Sequence, residues 1–239
     1  MFRFTINAGH GKYTAGKSCD KVLDPKGTPE WELNARVCEK IEKKLKEYSG
    51  YEYIRLDDRT GETDIPLPTR IGRANDFKAD FYLSIHHNAG AARTTSGGIY
   101  AITYLNVDDV TRDWQKALYN SLIKHTGLKG NRASPLARMN LKECRETKMP
   151  AVLLELGFMD SKTDVPIILT DDFAEKCATA IVEVLVEKGG LTKKQTTPTG
   201  KKIYRVQVGA FSVKANAEAL LKKLKQEGYN PFIVEVEKQ

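Results

Sequence analysis

The chain has 239 residues, 41% hydrophobic and 29% charged, enough for one catalytic domain of ordinary size plus a small appendage, or for two small domains. Lys and Arg number 38 against 31 Asp and Glu, a formal charge of +7, which favours anionic partners such as nucleic acid, acidic lipid or a wall carrying anionic polymers. The absence of an aromatic-plus-basic RNA-binding signature and of zinc-finger spacing speaks against nucleic acid, no stretch is long enough to span a membrane, and no P-loop or GxGxxG joins a strand to a helix.

Residues 2–7 (FRFTIN) read as a buried strand that ends in the turn AGHGK. The N-terminal MFRFTINAGHGK lacks the apolar core and cleavage site of a signal peptide, so synthesis in the cytoplasm without signal-led export is expected. In residues 29–47, Leu33, Val37, Ile41 and Leu45 recur every four positions and predict a helix, with Thr28 as N-cap and Pro29 at its first position. Strands follow at 51–56, 81–85, 98–104 and 151–155, and helices at 109–126 and 171–187. This alternation predicts an α/β domain with a largely parallel or mixed sheet. Residues 188–202 (KGGLTKKQTTPTGKK) carry no apolar repeat and read as a linker. Beyond it, a strand at 203–209, a helix at 213–227 and a strand at 232–236 form one βαβ unit, too small to hold a core alone. It must dock on the first domain, pair with a second copy or remain marginal. The four cysteines, Cys19, Cys38, Cys144 and Cys177, are scattered and read as reduced thiols rather than a disulfide framework.

Four positions carry metal-type or acid/base chemistry. His10 follows the first strand, Glu30 opens the first long helix, His86 ends FYLSI and Glu155 ends AVLLE. Sites in open α/β sheets gather beyond the carboxyl ends of strands. Catalytic zinc takes three protein ligands and leaves a fourth position open; His10, Glu30 and His86 would be the ligands, and Glu155 the acid/base that moves a proton from water to the leaving amine. Each residue also has a plainer reading: a loop hydrogen bond for His10, complementing the helix dipole for Glu30. Because neighbouring strand residues face opposite ways, at most one of His86 and His87 should bind metal. His125 reads as a helix C-terminal charge or surface residue.

The segments NAGHGK, PEWELN, LPTRIGRAN, ADFYLSIHHNA and PAVLLELGFMDS resemble, in this order, the signature blocks of the zinc N-acetylmuramoyl-L-alanine amidases of the amidase_3 type, from about residue 3 to residue 187. The resemblance implies a twisted mixed sheet with helices on both faces, Zn2+ on His10, Glu30 and His86, and Glu155 as the catalytic carboxylate. Glu30 rather than Glu32 matches, because the family's Glu precedes an Asn by four residues, here Asn34. The position after His86 is often small in the family; here it is His87, expected to be solvated rather than a substrate contact. Asn131 and Arg132 resemble a segment near the substrate cleft, and Arg70 and Asn75 are expected to be structural. The expected substrate is peptidoglycan, cut between N-acetylmuramic acid and L-alanine. The alternatives are a zinc peptidase acting within the stem peptide and a non-catalytic wall-binding protein.

The C-terminal stretch YRVQVGAFSVKANAEALLKKLKQEGYNPFIV is similar to the SPOR repeat, whose domains bind glycan strands lacking stem peptides. A full SPOR domain has two βαβ halves and this chain has one, so a homodimer completing the sheet is the expectation. The resulting organisation is a catalytic domain at 1–187, a linker at 188–202 and a half SPOR unit at 203–239, acting on the cell wall in a phage endolysin or a mother-cell lysis enzyme.

Overall fold

A computed structural model describes residues 1–194 and 206–236, in two compact units, Met1–Lys194 and Gln195–Gln239. The first unit runs β1 (Phe2–Ala8), α1 (Glu30–Leu45), β2 (Tyr48–Ser49), β3 (Tyr51–Arg55), α2 (Leu67–Asp76), β4 (Phe81–Asn88), β5 (Ile99–Thr103), α3 (Asp109–Thr126), β6 (Leu136–Arg138), α4 (Lys142–Glu146), β7 (Ala151–Phe158), α5 (Val165–Ile168), α6 (Asp171–Gly189) and β8 (Thr192–Lys193). Six strands form a mixed sheet in the order β3-β1-β4-β7-β5-β6, in which the β5–β7 pairing is antiparallel and the others parallel.

Strand alternation decides what each face does. Phe4, Ile6, Ala8, Phe81, Leu83, Ile85, Val152 and Leu154 enter the larger core with α1, α3 and α6. Tyr82, Ala151 and Leu153 enter the smaller one, with Ala74 of α2 and Cys144 of α4. The same parity carries His86 and Glu155 to the α2/α4 side. They stand opposite each other in the β4–β7 ladder, and the register shifts between His86 and Asn88. The stripe Leu33, Val37, Ile41 and Leu45 of α1 is buried, as its spacing predicts. All four cysteines are free and buried.

Several boundaries differ from the sequence reading. Helix α1 begins at Glu30 with Pro29 in the cap position and no side-chain cap; the Thr28 amide is instead engaged by Asp24 Oδ2 at 2.7 Å. β4 and β7 run past His86 and Glu155 to Asn88 and Phe158, because the sheet still has neighbours to pair with there. The first residues of the expected linker belong to the first unit: α6 extends to Gly189, Gly190 caps it with φ +63, and Thr192–Lys193 pair with Tyr48–Ser49. The remainder of the linker, 195–202, lies outside the described residues.

In the second unit α7 (Lys214–Gln226) forms as its periodicity predicts, but none of its residues is buried. Of the strands expected at 203–209 and 232–236, residues 203–205 lie outside the described residues, and 206–209 and 232–236 form no ladder among those described. Val206, Val208, Tyr229, Phe232, Val234 and Val236 remain exposed.

Candidate metal centre and active site

Segments that end at the carboxyl edge of the sheet, together with the start of α1, meet at one point. The β1 turn delivers His10. A Cβ built on Gly9 would collide with the His86 imidazole, so glycine there is what lets the two segments touch. His10 itself has φ +65, a left-handed conformation that costs a non-glycine residue about 1–3 kcal/mol. Arg70 holds the turn in place. This fully buried guanidinium donates to Ile65 O (2.7 Å), Asn7 Oδ1 (2.6 Å), Ala8 O (2.7 Å), His10 O (3.1 Å) and Asp64 Oδ1 (2.9 Å). Its expected structural role is thus specific: it ties α2 to the segment that carries His10. Asn75 acts at the other end of α2, donating to Glu146 O at 3.2 Å and accepting from Lys148 N at 2.9 Å.

Glu30, from the first turn of α1, is 1% exposed and reaches both histidines. Its Oε2 lies 3.4 Å from His10 Nε2, and its Oε1 lies 3.0 Å from His86 Nδ1. Ligand atoms of His10, Glu30 and His86 all fall within 4.8 Å of one another. A tetrahedral ion with ligands at about 2.0–2.2 Å sets neighbouring donors roughly 3.3–3.6 Å apart; the Glu30–His10 pair already has that spacing, and the chemistry of the set, two imidazoles and a carboxylate, suits a metal ion. Glu32, the rival position, points away and pairs with Lys26 and Arg36 on the surface.

The charges at this point are tightly coupled. Burial would raise the Glu30 carboxyl, yet the His86 hydrogen bond and charge, with His10 and Lys17 behind them, hold it down at about 2. Burial would lower His86, but Glu143 on one side and Glu30 on the other push it up to about 10. Burial takes His10 down to about 4 against the pull of Glu30, leaving a neutral imidazole suited to metal.

Glu155 faces the same space. Burial raises its carboxyl to about 8, with Glu30 and Glu143 adding and His86 and Lys17 opposing. Its Oε2 is sealed from solvent with no hydrogen-bond partner among the described residues. Glu155, Glu30, His86, His87 and Lys17 line a cavity of about 210 Å3. His87 corrects the sequence reading. It is 2% exposed rather than solvated, with Nδ1 2.8 Å from Asn34 Oδ1, because α1 covers that side of β4.

The remaining sequence candidates lie elsewhere. Asn131 and Arg132 brace the loop after β4, through Thr95 O, Gly97 N, Ser96 Oγ and Gly90 O, and Arg132 stacks on Phe158. His125 ends α3 against Glu183 at 2.6 Å. Two site residues escaped the sequence reading. Lys17 reaches within 3.9 Å of Glu30 Oε2 from a loop without periodicity. Glu143, from α4, lies 3.6 Å from His86 Nε2.

The family profile described as N-acetylmuramoyl-L-alanine amidase (Amidase_3) matches residues 5–187. The chain belongs to that family. The amidase is a hydrolase of peptidoglycan, and its family is metal-dependent. A SPOR domain profile also matches, over residues 175–238; the first part of that match falls on α6, which is built into the larger core. Among curated proteins, the amidase is 29% identical over 234 residues to the sporulation-specific N-acetylmuramoyl-L-alanine amidase of Bacillus subtilis, covering 98% of this chain and 85% of the relative. It is 29% identical over 215 residues to the endolysin of Bacillus phage SPP1, covering 85% and 74%. Among solved structures it is similar to the catalytic domain of the amidase CwlV from Bacillus (Paenibacillus) polymyxa, with TM-score 0.68 and 25% identity over 79% of this chain and 98% of that one. An N-acetylmuramoyl-L-alanine amidase from Clostridium difficile 630 shares the fold, with TM-score 0.69 and 24% identity over 78% of this chain and 95% of that one. No helix among the described residues is long and apolar enough to cross a membrane.

Proposed function

We propose that this amidase cuts the bond between N-acetylmuramic acid and L-alanine with zinc held by His10, Glu30 and His86 and with Glu155 as acid/base. The observation that carries the reading is the meeting of a His–Glu–His donor set and a buried carboxylate with a raised pKa at one cavity. Zinc bound there supplies polarisation of the scissile carbonyl and acidification of the attacking water. Glu155 takes the proton from that water and passes it to the alanine nitrogen as the amide breaks. Burial raises this carboxyl above the ordinary carboxylate range and a bound cation would draw it back down, which leaves it able both to accept and to return the proton. Gly9 and Arg70 fix His10 beforehand, so the site is assembled before substrate arrives.

Digestion of purified wall separates this reading from its rival. New N-terminal alanine should accumulate without new reducing sugar ends, and a chelator should stop it until zinc is returned. Release of other amino termini instead would mean a peptidase acting within the stem peptide. No new termini at all would leave a wall-binding protein.

The SPOR match and the exposed apolar residues of the second unit support a further part of the reading. Two copies of the half unit pair into one complete glycan-binding sheet, which buries Val206, Val208, Phe232 and Val234. Sedimentation of the full chain at micromolar concentration should give a dimer; a monomer there would sink this part. The setting is lysis of the wall, by a phage endolysin or a mother-cell lysis enzyme, a reading supported by similarity to a sporulation-specific amidase and to a phage endolysin.

A further inference from the structure

Zinc on His86 Nδ1, the reading proposed above on which this inference rests, leaves Nε2 of the same ring facing the interior. That nitrogen is buried and has no hydrogen-bond partner among the described residues. Facing it at 3.6 Å, just beyond hydrogen-bond length, is Glu143 Oε1.

Glu143 is an expensive residue to place there. It is 5% exposed, and its Oε2 accepts from the Tyr82 hydroxyl at 2.9 Å and from Asn7 Nδ2 at 3.5 Å. Both partners are neutral, so the ring of His86 is what offsets the buried charge. The carboxylate is also aimed. Thr147 Oγ1 donates to Glu143 O at 2.8 Å, and Asn75 pins the backbone just beyond α4. Asn7, which steadies Oε2, is itself held by Arg70 through its Oδ1. The supports that set His10 therefore also set Glu143, on opposite sides of the donor group.

We propose that Glu143 is the positioning residue of the metal centre: it accepts the Nε2 proton of His86, fixes that tautomer and so presents Nδ1 to zinc. Carboxylates placed behind a histidine ligand in this way orient the ring and raise its basicity as a donor.

The test measures zinc affinity of the full chain by chelator competition for wild type, Glu143→Ala and Glu143→Gln, alongside the melting temperature of each metal-stripped protein. Alanine should weaken zinc about 10–100-fold. Glutamine keeps an acceptor oxygen for Nε2 and should recover most of that loss. Long-range proton–nitrogen spectra of the zinc-loaded wild type should show His86 protonated at Nε2. Zinc affinity within about twofold of wild type in both variants would overturn the proposal, even if their melting temperatures fall, since that leaves Glu143 with a packing role alone. So would zinc found on Nε2. If alanine prevents folding, the spectra still decide: His86 protonated at Nε2 in the zinc-loaded wild type supports the proposal, and zinc on Nε2 overturns it. Wild-type zinc binding that ignores Glu30→Gln would overturn the ligand set instead, so the two failures are distinguishable.

Discussion

Glu155→Gln should lower the rate of wall hydrolysis by about 10²–10⁴-fold while zinc affinity stays within a few-fold of wild type. Gln fills the same space and cannot shuttle the proton. The residue lies opposite His86, a proposed ligand, in the β4–β7 ladder without belonging to the proposed donor set, so binding and turnover should separate. Zinc titration with single-turnover digestion measures both, and undiminished turnover would remove Glu155 from the mechanism. A second signature comes from stability. With the folded carboxyl at about 8 and an ordinary value of 4.5, its contribution is fully present below about pH 4.5 and is lost as pH rises through 8. The slope is at most about 1.4 kcal/mol per pH unit. In chelator, Glu155→Gln should therefore be more stable than wild type at pH 8, with the gap closing towards pH 5. Buried catalytic carboxylates commonly cost stability where they supply function.

Arg70→Met should destabilise the protein by about 3–5 kcal/mol, since each buried acceptor left without a donor costs about 1–3 kcal/mol, and sharply reduce activity, though Arg70 neither lines the cavity nor belongs to the donor set. The variant leaves the carbonyls of Ile65, Ala8 and His10 and the Asn7 amide oxygen without their donor. Buried acceptors left unpaired are what make such losses large. The His10 turn, already in a left-handed conformation, then has less to hold it. Arg70→Lys should not restore stability, because an ammonium cannot reproduce a planar fork bonded on three sides. Denaturant unfolding of the two variants, with zinc affinity measured beside it, checks the result. A loss below about 1 kcal/mol would contradict the account of Arg70 as the anchor of the turn.

Much of the fold was legible. Helix α3 spans Asp109–Thr126, the bounds its pattern predicts, because local chemistry marks both ends: Asp108 caps it and Gly127 closes it at φ +71. The stripe of α1 and the five main strand segments were legible for the same reason, since apolar period follows local geometry. What failed depended on distant neighbours. LKECRE carries no periodicity that marks an element, yet packing of α4 against α2 and the sheet buries Glu143 and Cys144. His87 reads as solvated until α1 is laid over it. The strands read at 203–209 and 232–236 form no ladder among the described residues, since alternation in a single segment does not supply a pairing partner.

The sequence by itself determined the layered α/β frame and the family, and it nominated His10, Glu30, His86 and Glu155, because these follow from local periodicity and from blocks whose order is written in the chain. Only the tertiary structure decided that four separated segments converge, and that Glu143 and Lys17 join them. It also decided that Glu155 sits at about 8 rather than in the usual carboxylate range. Those outcomes depend on burial and on charges brought within a few ångströms by folding, and neither quantity exists along an extended chain.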